Sequence, residues 1–256
     1  MFLFFCYRFR GPAHNTCNLE YQDAHHIPII FHNLAGYDAH LFIKQLATQF
    51  KGYISVIPQN KERYISFTKR VEGTIVSLRF IDSYKFLQES LEKLASYLNR
   101  MEIVEKEFGK DGYSVEQIKL LKRKGVFPYD YVTSLEKLKE TVLPSKDDFY
   151  SHLYGSHISD EDYDHAKNVW EIFNIKTLGE YSDRYLKTDV IILVNIFEDF
   201  RNLDLSIYKL DPAHYYTLPG LSWDAMLRYT KIELELLTEM DMLLLIERGK
   251  YSIIHA

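Results

Sequence analysis

Five side chains in two distant stretches have types and spacing that suit a single reaction. Asn33, Tyr37 and Asp38 lie in Phe31-His-Asn-Leu-Ala-Gly-Tyr-Asp-Ala-His-Leu-Phe-Ile43, and Tyr185 and Asp189 lie in Tyr185-Leu-Lys-Thr-Asp189. Carboxylates are hard oxygen ligands for magnesium or manganese, and a tyrosine hydroxyl beside them can orient a water. Tyr185 and Asp189 are four residues apart, so on a helix they share a face. Asp38 follows an apolar run at the point where a loop would open into a helix, the usual place for a site in an α/β sheet. One carboxylate from each stretch around a divalent cation implies phosphodiester hydrolysis. A structural reading stays open beside it. Asn33 and Gly36 can be turn formers and Asp38 a helix cap, with Tyr185 a partly buried aromatic and Asp189 a surface acid.

The elements that must carry these residues alternate between strand and helix, without repeats. Ile27 to Phe31 reads as a buried strand, and Tyr37 to Phe50 has helical spacing through Leu41, Phe42, Gln45 and Leu46. Ile54 to Ile57, Tyr64 to Thr68 and Thr74 to Ile81 read as three consecutive strands, an antiparallel ladder. Ser90 can cap a helix running to Arg100. From Val104 to Pro144, Gly109, Gly112, Gly125, Pro128 and Pro144 break the pattern, so a loop-rich insertion is expected over about 104–145. Ser159 or Asp160 starts a helix carrying Tyr163, Ala166 and Trp170. Thr177 to Leu203 reads as a long helix with Tyr185, Asp189, Ile192 and Ile196 along one side. Ser222 opens a short helix, and Thr238-Glu-Met-Asp241 has capping-box spacing for a last one through Arg248, with Gly249 as its stop.

The pattern Asn-x-x-x-Tyr-Asp followed much later by Tyr-x-x-x-Asp resembles the second and third exonuclease motifs of family B DNA polymerases. Its wording is similar to the protein-primed branch of viruses and Polinton-type mobile elements. Further matching stretches are Phe80-Ile-Asp-Ser-Tyr-Lys-Phe-Leu87, Gly125-Val-Phe-Pro-Tyr-Asp-Tyr131, Leu186-Lys-Thr-Asp-Val-Ile-Ile-Leu193 and Leu218-Pro-Gly-Leu-Ser-Trp-Asp-Ala225. The resemblance runs from about Arg8 to Gly249. It implies an α/β, ribonuclease-H-like 3′–5′ exonuclease domain over residues 27–205, followed by a helical lead-in to a polymerase palm over 206–256. It further implies Asp38, Tyr185 and Asp189 as catalytic residues, with Asp38 and Asp189 binding magnesium or manganese. Asn33, Tyr37 and nearby aromatics such as Phe42 would hold a frayed single-stranded 3′ end. Ser90-Leu-Glu-Lys-Leu94 resembles the family's Ser/Thr-Leu-x-x-hydrophobic motif, which makes Ser90 and Leu91 DNA contacts. The implied partners are DNA, as single strand or primer-template, and a terminal protein primer.

Two parts of that family pattern are missing. No Asp-x-Glu pair, the first exonuclease motif, precedes Asn33, which leaves the first strand incomplete, and no palm motifs follow Gly249. The expectation is a piece of a larger polymerase, inactive by itself. A non-catalytic DNA-binding or structural module that kept the fold is the alternative. Over residues 1–26, Arg10-Gly-Pro-Ala-His14-Asn-Thr-Cys17-Asn-Leu19 resembles the tail of a zinc-binding, endonuclease-VII-like insertion. His14 and Cys17 make only half a zinc site, because structural zinc takes four protein ligands, so zinc is not expected here.

Composition fits these expectations without forcing them. The 256 residues, 46% hydrophobic and 26% charged, can bury a full core. Two cysteines make no disulfide scaffold, and the apolar opening before Arg8 is too short for a signal peptide or a membrane span. An intracellular setting, the nucleus or a viral replication site, and no membrane role are expected. A net charge of −5 does not advertise nucleic-acid binding. Two local basic clusters, Lys44 to Arg79 and Lys119 to Lys124, could still neutralise phosphates or simply be solvated faces.

Overall fold

The computed structural model describes residues 2–5, 8–12, 25–98, 100–235 and 238–253, and their side chains over 25–98, 100–235 and 238–246. At the N-terminus, β1 (Phe2–Phe5) and β2 (Arg8–Pro12) pair antiparallel, a pairing the sequence reading did not foresee. His14, Cys17 and Cys6 lie outside the described residues.

The main sheet is built from β3 (His26–Phe31), β4 (Ile54–Pro58), β5 (Tyr64–Arg70) and β6 (Ser77–Asp82), in the order β3-β6-β5-β4. The ladder of β4, β5 and β6 is antiparallel, as the alternating β-branched runs require. The third strand starts later than the pattern suggests, because Gly73, at φ 73°, bends Val71 to Thr74 into a turn. β3 joins β6 in parallel, from His26 opposite Ser77 to Phe31 opposite Asp82. That register brings the loop after Phe31 and the residues after Asp82 to the same edge of the molecule. Helix α1 (Asp38–Thr48) covers one face, with Ala39, Phe42, Ile43 and Leu46 packed on Phe67 and Phe80. Phe42 lies 5.5 Å from Phe31, ring to ring, so it belongs to this core and not to a strand-gripping surface.

The second half is helical. Ser90 accepts a hydrogen bond from Lys93 N–H and starts α2 (Leu91–Ser96), which ends before the expected Arg100. Two short helices, α3 (Glu102–Lys110) and α4 (Val115–Leu120), stand where an irregular insertion was expected. The glycines there do not interrupt them. Gly109 sits in the last turn of α3, Gly112 at φ 80° makes the bend, and Ser114 with Gln117 forms the capping box of α4. From 121 to 158 the chain is irregular apart from single turns at Lys137–Lys139 and Lys146–Phe149.

Ser159 caps α5 (Asp160–Ile172), and Thr177 caps the long α6 (Leu178–Ile207). Ile192 and Ile196 of α6 pack on α2, α3 and α4, and buried Asn195 accepts from Ile103 and Val104 N–H at the start of α3. α7 (Leu218–Thr230) begins earlier than Ser222, because Pro219 is tolerated in a first turn where no N–H is needed. α8 (Met240–Ile253) continues through Gly249, since a single interior glycine costs only about 1 kcal/mol. Among the described residues no helix is long and apolar enough to cross a membrane. The architecture is a mixed α/β one, a small four-stranded sheet with eight α-helices among the described residues.

Candidate functional site

The turn after β3 is held by a carboxylate that the sequence reading assigned no role. Asp82, 1% exposed at the end of β6, accepts from the backbone N–H of Asn33 (2.8 Å), Ala35 (3.0 Å) and Tyr84 (3.0 Å). Asn33 is left-handed, at φ 64°, and Gly36 N–H closes the turn on Asn33 C=O at 3.1 Å. A Cβ at Gly36 would sit 2.4 Å from Asn33 Oδ1, so the turn has no room for a side chain there. Leu34 and Ala35 are buried as the turn's anchor, which leaves Asn33 and Tyr37 facing outward, Tyr37 with 66% exposure. Asp38 opens α1 and is half-buried. Burial pushes its carboxyl above the usual range, and the charge of Asp82 adds to that.

Tyr185 and Asp189 stand on α6, and Tyr185 lies against the stretch Gly125 to Tyr129. The Tyr185 ring is stacked on Phe127 (5.5 Å between centroids), and a Cβ at Gly125 would touch it at 3.4 Å. Tyr129 donates its hydroxyl to Tyr185 at 3.0 Å. The stretch Gly125 to Tyr129 thus wraps the Tyr185 side chain, and Gly125 is where the backbone must come close. Burial raises the phenol pKa of Tyr185, and partial desolvation raises that of Tyr129, which is 68% exposed; the negative charge of Asp189 raises both further, and that of Asp38 also raises Tyr129. Tyr129 is thus the side chain on which the charges of both carboxylates bear.

Asp189 is desolvated on α6. Its Oδ1 is buried without a hydrogen-bond partner, and burial holds its pKa up against the opposing pull of Lys124 and of the Tyr185 hydroxyl. A buried carboxylate oxygen without a hydrogen-bond partner is a group that a hard divalent cation would satisfy. Among the described residues no group of three or more His, Cys, Asp and Glu converges.

Lys124 also faces this site. Its charge bears on Asp189 and on His32, next to Asn33. The His32 Nε2 meets Glu89 C=O at 2.9 Å and Nδ1 meets Ser83 Oγ at 2.9 Å. A carbonyl can only accept, so Nε2 carries the proton and Nδ1 accepts from Ser83. Desolvation lowers the His32 pKa first, and Lys124 lowers it further. Substitution Lys124→Met is expected to raise the His32 pKa, read from its ring-proton chemical shifts across a pH titration. An unchanged His32 midpoint would place Lys124 away from the site.

The remaining expected contacts separate. The Ser90 hydroxyl is engaged as the N-cap of α2, and Leu91, 8% exposed, packs inward with Met101 and Val104. Four of the basic side chains considered for phosphate binding have structural partners. Lys122 pairs with Glu105 (2.5 Å) and Arg123 with Glu161 and Asp162. Lys69 is buried and donates to the carbonyls of Phe50 and Gly52, and Arg79 lies over Tyr216. Tyr129, Lys124 and Asp82 were missed as site residues. The signal available for Tyr129 and Asp82 was that each lies inside a stretch already singled out by resemblance.

No curated protein and no solved structure matches this chain. Residues 21–256 match the family model for DNA polymerase type B, organellar and viral, nearly the whole chain and every element of the site. The chain belongs to the organellar and viral type B DNA polymerases.

Proposed function

We propose that this region is the 3′–5′ exonuclease part of a protein-primed type B polymerase, receiving a single-stranded 3′ end at the Asn33 turn. The observation that carries the reading is the Tyr129 hydroxyl, which touches Tyr185 and feels both Asp38 and Asp189. Asn33 presents its amide to the strand, and exposed Tyr37 offers a face on which a base can stack, a grip indifferent to sequence. Tyr185 keeps its proton at neutral pH and so serves as a donor that orients water, not as a base. Lys124 balances the charge of Asp189. A divalent cation held by Asp38 and Asp189 would supply Lewis-acid activation of the phosphodiester. The Asp-x-Glu pair of the family pattern is absent before Asn33, so the chain alone is expected to hold DNA without cutting it.

The test uses the purified chain, manganese and a 3′-labelled single strand. Binding that weakens at least severalfold in Asn33→Ala and Tyr37→Ala, without release of label, is the expected result. A chain with no affinity for the strand would overturn the reading. Label release that Asp38→Ala and Asp189→Ala both abolish would keep the site and refute the inactivity.

A further inference from the structure

A short hairpin is pinned beside the site and carries apolar side chains at its tip. Ser151 N–H donates to Ser156 C=O (3.0 Å), Gly155 N–H donates back to Ser151 C=O (2.8 Å), and Gly155 takes φ 63° to close the turn. Its anchor is Asp130, which accepts from His152 N–H (2.9 Å) and lies 3.4 Å from His152 Nδ1. Tyr150 packs on both His152 and His157 below it. A turn bonded in this way fixes its tip outward, and the tip holds Leu153 at 84% and Tyr154 at 80% exposure.

Asp130 directly follows Tyr129, whose hydroxyl reaches Tyr185. Summing the covalent and hydrogen-bonded links puts the Cα atoms of Tyr129 and Tyr154 no more than about 20 Å apart. A strand stacked at about 3.4 Å per nucleotide covers that in about six residues. Asp130 and Asp147 beside the hairpin lie against His152 and His157 (3.4 and 3.8 Å), and the tip itself presents Leu153 and Tyr154, a surface suited to the face of a base and not to a phosphate. DNA is the partner the family implies.

We propose that the Ser151–Ser156 hairpin is a second grip on single-stranded DNA, with Leu153 and Tyr154 taking the face of a nucleobase a few nucleotides from the Asn33 turn. The proposal rests on the reading of that turn as the strand-end site. Base stacking on an aromatic contributes enough that losing it weakens binding about tenfold.

The experiment measures fluorescence anisotropy of the full chain with a fluorescein-labelled oligothymidylate of about twenty nucleotides, long enough to span both places. The double substitution Leu153→Ser with Tyr154→Ser is expected to weaken binding about tenfold with an unchanged melting temperature. Tyr154→Trp is expected to keep the affinity and to show quenched indole emission on binding. Wild-type affinity in the double variant overturns the grip, and if Asn33→Ala still weakens binding, the strand-end site survives it. Weakening by the hairpin variant with none by Asn33→Ala keeps the grip and refutes the site. A wild-type dimer that the hairpin variant dissociates, at unchanged DNA affinity, assigns the tip to self-association and overturns the proposal.

Discussion

Asp82→Ala is expected to lower folding stability by about 3 to 5 kcal/mol, a large share of the 5 to 15 kcal/mol typical of a native domain. The carboxylate is almost fully enclosed and accepts three backbone N–H groups from two segments, the turn after β3 and the turn after β6. Alanine leaves those donors without an acceptor, and each buried orphan costs about 1 to 3 kcal/mol. Because Asn33 lies at the surface, water can reach part of the gap, so the loss falls short of the sum. Asp82→Asn keeps an acceptor oxygen but sets an NH2 against a donor, and about half the loss is expected. Urea unfolding measures both, as a shifted midpoint at constant slope. A change below about 0.5 kcal/mol for alanine, the size of a bland surface substitution, would mean that the turn does not depend on this residue. Loss of the turn also releases Asn33 and Tyr37, so DNA binding is expected to fall with stability.

Asp82 shows what kind of feature the sequence conceals. Its neighbours were singled out by resemblance, yet nothing local to Phe80-Ile-Asp-Ser says that a carboxylate will reach back to a turn about fifty residues earlier. Local chemistry was readable. Ser90, Ser159 and Thr177 announce helix starts because a cap needs only its own next residues, and each is an observed N-cap. The antiparallel ladder and the long α6 were readable from their periods. α3 and α4 were not, because glycines that end helices look in sequence like glycines that prevent them, although Ser114 and Gln117 carried the capping signal. For the site, Asp38 and Asp189 could be matched as types, but the surroundings of Tyr185 and Asp189 depend on Tyr129, Gly125 and Lys124, which come from the irregular stretch between α4 and α5. The role of the basic clusters was not legible for the same reason. Whether Arg123 meets a phosphate or Asp162 is decided by packing, not by composition.

Manganese is expected to raise the melting temperature of the wild-type chain and to leave Asp189→Asn unmoved. A ligand at about a hundred times its Kd stabilises a fold by about 2.7 kcal/mol, which in a chain of this size corresponds to roughly 5 to 10 °C. Asp189→Asn should also change the metal-free protein, in the opposite sense from most buried substitutions. The Asp189 carboxylate is desolvated and its Oδ1 has no partner, so the ionised form is unfavourable in the folded state and its pKa is raised. A carboxyl with a raised folded pKa destabilises the fold when both states are ionised, and the penalty disappears as pH falls through the folded value toward the ordinary carboxylate range near 3.9. Above neutrality the uncharged Asn variant is therefore expected to be more stable than wild type without metal, and that advantage should vanish in acid. Adding manganese reverses the order, because only the wild type offers the charge that the cation neutralises. Binding should also strengthen with rising pH, since protons and the cation compete for Asp38 and Asp189, both of which have raised pKa values. Thermal melts of the two proteins, with and without manganese and at two pH values, test every sign at once. Equal manganese stabilisation of both proteins, or an Asn variant less stable than wild type above neutrality, would remove Asp189 from the cation site and leave its buried oxygen as a structural defect.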